Sequence, residues 1–262
     1  MKRKTSRRER PARRREIVVH SSELRIAQLI EHTLITREPA APAGWSIGVH
    51  YEAAKVVGGD FYDVVPLANG WWALLTGDVS GKGMPAALVM ASTLRILRNV
   101  LATGAAPHLV LEHANAELAV RLPRHVFVTC QYAVLNPTTG LLRYANAGHC
   151  PALRVYGGAS VQELAGGGLP LGVEPKTSYP ETELTLGQGD SLLLYSDGVV
   201  EARSPDGTLF GFDRLQQFVS GSASAVPGLI QRLLEALDRH RATRALDDDL
   251  MLVLVQRDST VL

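Results

Sequence analysis

The sequence predicts an α+β domain in which mainly antiparallel sheets are layered with helices. Three observations lead there. Nine short segments rich in Val, Leu, Ile, Tyr and Trp read as strands, at 45–52, 61–67, 71–78, 126–135, 141–147, 151–156, 180–186, 190–196 and 250–256. Helix-period segments arrive in clusters rather than in strict alternation with the strands. Hairpin-like links such as Asn136-Pro137-Thr138-Thr139-Gly140 disfavour a doubly wound parallel sheet.

The chain has 262 residues, enough for one substantial core. Residues 1–16 hold nine Lys/Arg against two Glu, a local balance of +7, which leaves −6 on the rest of a chain whose total is +1. This like-charge block, with Pro11 inside it, is expected to be a disordered basic arm. It could solubilise the protein or touch nucleic acid or an anionic membrane, but a charge run alone carries no base or lipid specificity.

Residues 17–38 form a linker around a helix at 20–36, where Ser21 or Ser22 can cap the start and Leu24, Ala27, Ile30 and Leu34 recur at helix spacing. Pro39 and Pro42 follow it. The apolar stripe could dock on the chain's own domain or pair with a second copy in a homodimer. Further helices are expected at 84–103, where Pro85 suits the first turn, and at 107–121, 212–220 and 226–243. Gly157, Gly158, Gly166, Gly167 and Gly168 read as loose surface turns. The main domain covers 39–258, with a short tail at 259–262.

Cys130 and Cys150 lie in apolar stretches and make no disulfide framework. With no signal-peptide core and no long apolar run, a soluble cytoplasmic protein is the expectation.

The chemistry is signalled by acidic residues at the ends of apolar strands. Asp60 and Asp63 stand in Val57-Gly58-Gly59-Asp60-Phe61-Tyr62-Asp63, Asp78 ends Trp72–Gly77, Asp197 follows Leu192–Ser196, and Asp248 and Asp249 precede Leu250–Val255. A carboxylate left dry, ionised and alone is costly, and several converging ones repel each other. Hard divalent cations such as Mg²⁺ or Mn²⁺ relieve both costs. Each aspartate taken singly could equally end a strand in an ordinary Asp-Gly turn. The set of four argues against that for all of them.

Other chemistries fit less well. Gly77–Gly83 lacks the Gly and Ser/Thr that a phosphate-binding loop would need at positions 76 and 83. Ser80 and Ser196 have no partners at triad spacing, and no Cys/His pairing suits zinc. A nuclease guided by the basic arm would need basic residues through the catalytic region, which is net acidic. Lys82 could face substrate phosphate or solvent. His149 could act as a general acid or order its turn.

The ordered segments Gly58-Gly59-Asp60-Phe61-Tyr62-Asp63, Gly77-Asp78-Val79-Ser80-Gly81-Lys82-Gly83-Met84-Pro85-Ala86-Ala87, Tyr144-Ala145-Asn146-Ala147-Gly148-His149, Leu194–Ala202 and Asp247-Asp248-Asp249 resemble the motifs of the SpoIIE/RsbU-like branch of metal-dependent protein phosphatases, relatives of protein phosphatase 2C. The resemblance implies a four-layer α-β-β-α sandwich and a site for two Mn²⁺ or Mg²⁺ ions. In it Asp78 bridges both metals, the Val79 carbonyl is a neighbouring ligand, and Asp60, Asp197 and Asp248 complete the shells. Asp63 and Asp249 would be outer partners.

The implied activity is hydrolysis of phosphoserine or phosphothreonine on a regulatory protein such as an anti-sigma factor antagonist, by an activated water and without a phosphoenzyme. An inactive module of the same fold that binds phosphoproteins is the alternative. Two positions depart from the pattern. The helix at 20–36 lacks a Gln-x-x-Leu-Leu-Pro ending, and Met251 replaces a Ser or Thr after the last aspartate pair.

Overall fold

In a computed structural model, described for residues 9–35, 39–68, 70–157, 160–164, 166–220 and 226–259, the chain folds as two five-stranded sheets flanked by helices. The elements in chain order are α1 (Glu9–Ile35), β1 (Trp45–Glu52), β2 (Phe61–Pro66), β3 (Trp72–Val79), α2 (Met84–Leu101), α3 (Pro107–Arg121), β4 (Val128–Leu135), β5 (Leu141–Ala147), β6 (Leu153–Tyr156), β7 (Ser160–Glu163), β8 (Glu181–Thr185), β9 (Ser191–Tyr195), α4 (Asp197–Val200), α5 (Phe212–Ser220), α6 (Val226–Arg241) and β10 (Leu250–Arg257). One sheet runs β1-β10-β9-β6-β7 and the other β2-β3-β4-β5-β8, with every named pairing antiparallel.

The strand period of two assigns the layers. On β10, Met251, Val253 and Val255 point into a core between the sheets, which they share with Leu74 and Ala133 of the facing sheet. Leu250, Leu252 and Leu254 point the other way, against Leu229, Leu233 and Leu237 of α6. On β3, Ala73 and Leu75 face Met90, Leu94 and Leu97 of α2. Sheets buried on both faces explain why these strands read as nearly continuous apolar runs. The result is the expected α-β-β-α sandwich.

The hairpin at 136–140 forms as its residues dictate. Asn136 Oδ1 accepts from Thr138 N at 3.0 Å and Thr139 N at 3.1 Å, and Gly140 takes φ +79°, where an added Cβ would meet the Leu186 carbonyl. Cys130 and Cys150 are both free thiols.

Three expectations need correction. Helix α1 begins at Glu9, so residues 9–16, expected as a disordered arm, are helical. Their Arg, Ala and Glu content favours helix, and Pro11 sits in the first turn where its missing N–H costs nothing. Residues 1–8 lie outside the described residues. Strand β7 was hidden because its Ser160-Val161-Gln162-Glu163 is mostly exposed at a sheet edge. Helix α4 is a single turn, too short to show a period.

Candidate metal centre

Register places the acidic residues before any side chain is considered. Phe61 pairs with Gly77, so Asp60 and Asp78 extend that antiparallel pair by one step at the same end of their sheet. In the other sheet Leu252 pairs with Tyr195, so the residues after β9 and before β10, Asp197 and Asp248-Asp249, meet at one end too. Four motifs dispersed over almost 190 positions are thereby drawn to one rim.

The electrostatics confirm that these groups feel one another. Asp60 is 1% exposed, and burial first, then the charge of Asp78, pushes its carboxyl well above the usual range. Burial and the neighbouring Asp197 and Asp248 push Asp78 up to about 7. Burial and then Asp248 push Asp197 to about 6. Asp60 Oδ2 is a buried oxygen without a hydrogen-bond partner. Buried acceptors are normally satisfied, so this atom calls for a donor or a cation. Among the described residues no three such groups close into a ready-made ligand cage.

The backbone around these carboxylates is shaped for close approach. A Cβ on Gly59 would lie 2.9 Å from the Val79 carbonyl oxygen and 3.1 Å from Asp78 Oδ1, so only glycine lets this loop lie against both. A Cβ on Gly198 would collide with the Asp249 carbonyl oxygen. The groups that could hold a metal here all offer oxygen: Asp60, Asp78, Asp197, Asp248 and the Val79 carbonyl. That chemistry suits hard divalent cations.

Asp249 is a support. Its Oδ1 accepts from Ala54 N at 2.8 Å and its Oδ2 from Gly59 N at 2.7 Å, fixing the loop that carries Asp60. Asp63 does not join the cluster. It turns toward α2, where Arg98 Nε donates to its Oδ2 at 2.6 Å while Arg98 also reaches the Leu34 carbonyl of α1. Met251, where a hydroxyl residue was expected, faces the core between the sheets, and Ser196 Oγ accepts from its backbone N–H at 3.0 Å.

Asp78, Asp197 and Asp248 line a cleft of ≈ 340 Å³ together with Ser80, Lys82, Phe127 and His149. His149 is locked in its turn: Asn146 Oδ1 accepts from its N–H at 2.8 Å, and its Nδ1 lies 2.8 Å from Thr129 Oγ1. Burial lowers its pKa to about 4, so the ring is neutral at physiological pH. Lys82 Nζ donates to Asp248 Oδ2 at 2.6 Å and to the Asp247 carbonyl at 2.5 Å. Burial alone would lower the Lys82 pKa, but the Asp248 hydrogen bond and the surrounding carboxylates outweigh it and the net direction is upward.

Sequence reasoning missed Glu31. This residue of α1 is 4% exposed, accepts from Gly58 N at 2.6 Å and from Tyr51 Oη at 3.0 Å, and so ties the first helix to the Asp60 loop. Burial raises its pKa. A Glu on the polar side of a helix gives no sequence signal of such a partner.

Comparison with known proteins follows the same lines. Residues 68–258 match the family described as "Stage II sporulation protein E (SpoIIE)". The chain is 28% identical over 237 residues to phosphoserine phosphatase RsbU of Bacillus subtilis, covering 90% of this chain and 70% of that one. It is 28% identical over 244 residues to protein IcfG of Synechocystis, covering 82% of this chain but only 38% of the relative. The fold matches the SiaA-PP2C domain of Pseudomonas aeruginosa with a TM-score of 0.82 at 22% identity, covering 94% of this chain and 98% of that one.

Proposed function

The chain belongs to the SpoIIE family, and from that footing we propose that it is a metal-dependent protein phosphatase acting on phosphoserine or phosphothreonine. The observation that carries the reading is the convergence of Asp60, Asp78 and Asp197, each raised in pKa by burial and by its acidic neighbours, with Asp60 Oδ2 left without a partner. A bound divalent cation would relieve the repulsion that keeps these carboxyls from ionising together.

In this reading Asp60, Asp78, Asp197, Asp248 and the Val79 carbonyl would hold two Mn²⁺ or Mg²⁺ ions. When bound, such a pair neutralises phosphate charge and makes water a competent nucleophile at neutral pH. The chain's own residues do the rest. Asp249 and Glu31 fix the Gly58-Gly59-Asp60 loop, and the Ser196 hydroxyl ties the ends of β9 and β10 together. The neutral His149 and Phe127 wall the cleft. Among the described residues lining the cleft, Ser80 Oγ accepts from Phe127 N and burial pushes the Cys150 thiol up to about 12, which supports direct hydrolysis without a phosphoenzyme.

The substrate we propose is a phosphorylated regulatory protein of the anti-sigma factor antagonist type, met in the cytoplasm; the phosphoserine part of this reading is supported by the relative RsbU, which is named a phosphoserine phosphatase. The exposed Ile26, Leu29 and Ile30 of α1 are consistent with pairing of two copies through that helix.

The test is Mn²⁺-dependent release of phosphate from p-nitrophenyl phosphate and a phosphoserine peptide by the parent and by Asp78→Asn. Activity in the parent that drops at least a hundredfold in the variant supports the assignment, on the scale at which lost electrostatic groups act, about 10²–10³. Binding of the phosphopeptide without hydrolysis would point to a phosphoprotein-binding module instead.

A further inference from the structure

Among the described residues lining the cleft there are three carboxylates, Asp78, Asp197 and Asp248, and one cation, Lys82. Lys82 is therefore the positively charged side chain that a phosphate entering this space would meet among those described residues. Lys82 also lines a neighbouring pocket of ≈ 200 Å³ with Glu201, Arg203 and Arg241, so its ammonium stands on the ridge between two cavities.

An ammonium has three N–H donors. Two are accounted for, on Asp248 Oδ2 at 2.6 Å and on the Asp247 carbonyl at 2.5 Å. The Lys82 side chain is 40% exposed and that of Asp248 32%, an arrangement in which an ion pair is weak and readily shared. The turn that carries the lysine is nonetheless well held. Ser80 N donates to the Phe127 carbonyl and Phe127 N donates to Ser80 Oγ, both at 3.0 Å, while Gly81 at φ +101° and Gly83 at φ +78° let the chain double back into α2. The positive end of that helix begins at Met84, beside the lysine.

We propose that Lys82 is a substrate ligand, its third N–H donating to a phosphoryl oxygen of the phosphoserine or phosphothreonine. The assignment rests on the phosphatase reading above. An ammonium bonded to the carboxylate of Asp248, itself assigned to a metal, lies one side chain away from wherever phosphate meets that metal. It adds a charge-assisted hydrogen bond without being a nucleophile or a proton carrier. The other role open to Lys82, orienting Asp248 alone, makes a different prediction and can be separated from it.

The experiment uses the full chain with Lys82→Ala and Lys82→Arg. At saturating Mn²⁺ one measures KM and kcat on a phosphoserine peptide and inhibition by inorganic phosphate, and by calorimetry the Mn²⁺ affinity of the metal-stripped proteins. Lys82→Ala should raise KM and weaken phosphate inhibition by about tenfold or more, the scale of one hydrogen bond to a charged group. Its Mn²⁺ affinity should fall much less than its phosphate affinity, because the half-exposed pair that Lys82 makes with Asp248 is weak. Lys82→Arg should recover part of the lost phosphate affinity.

Unchanged phosphate inhibition in Lys82→Ala overturns the proposal, and so does a fall in Mn²⁺ affinity as large as the fall in phosphate affinity, which would make Lys82 a positioning residue for Asp248. If the parent itself shows neither Mn²⁺-dependent hydrolysis nor phosphate binding, the phosphatase reading fails and this assignment fails with it. A parent that hydrolyses beside a Lys82→Ala of equal phosphate affinity removes the lysine assignment alone.

Discussion

Replacing Asp78 by asparagine should make the metal-free protein more stable at high pH, although under the proposed function it should also abolish activity. The Asp78 carboxyl titrates at about 7 in the fold, against an ordinary value of 3.8, because of burial and the adjacent Asp197 and Asp248. Between those values the folded chain keeps a proton that the unfolded chain has lost, so raising the pH favours unfolding. At 1.36 kcal/mol per pKa step this amounts to roughly 4 kcal/mol of stability, present below about pH 4 and gone above pH 7. A loss of that size is a large share of the 5–15 kcal/mol typical of a domain.

Asparagine cannot ionise, so the gap between parent and Asp78→Asn should open steadily from about pH 4 to 7. Asp197, raised to about 6, remains in both proteins and leaves a common slope, while Asp60, held up in part by the charge of Asp78, is relieved in the variant and widens the gap in the same direction. Urea unfolding followed by circular dichroism, in chelator from pH 4.5 to 8, reads the gap directly. Adding Mn²⁺ should close it by stabilising the parent only. A gap that does not vary with pH would show that Asp78 is an ordinary, solvated carboxylate and refute the reasoning.

Other perturbations test the supports. Gly59→Ala would push a methyl to 2.9 Å from the Val79 carbonyl oxygen and should cost at least tenfold in Mn²⁺ affinity, read by calorimetry, with the far-ultraviolet spectrum unchanged. Glu31→Ala strips the partner from Gly58 N and Tyr51 Oη and should lower stability by about 1–3 kcal/mol in denaturant unfolding, with a parallel loss of Mn²⁺ affinity. Arg98→Ala leaves Asp63, 7% exposed, without its cation and should destabilise by about 1–3 kcal/mol, while the double variant with Asp63→Asn recovers part of it. Equal melting temperatures for Arg98→Ala and parent would show that this strap is not structural.

Much of this architecture could be read from the chain because its apolar strands are bounded abruptly by aspartates and glycines. β1 and β5 span the anticipated residues, and α2 starts at Met84 with Pro85 in its first turn. Strand β7 escaped because an exposed edge strand needs no apolar face, and α4 because a single turn has no period to detect. The four aspartates were visible as strand-end acids, but their mutual approach depends on the Phe61–Gly77 and Leu252–Tyr195 registers, which sequence leaves open. Asp63 misled because adjacency in a motif is not adjacency in space: on β2 it points at Arg98. Glu31 was invisible because its partners, a backbone N–H and a tyrosine hydroxyl, come from elements brought to it only by the fold.

The most direct test of the central claim is anomalous diffraction at the manganese edge from crystals grown with Mn²⁺. Two anomalous peaks enclosed by Asp60, Asp78, Asp197 and Asp248, with the Val79 carbonyl beside them, are the predicted result. Well-ordered crystals in saturating Mn²⁺ with no peak between those carboxylates would contradict it.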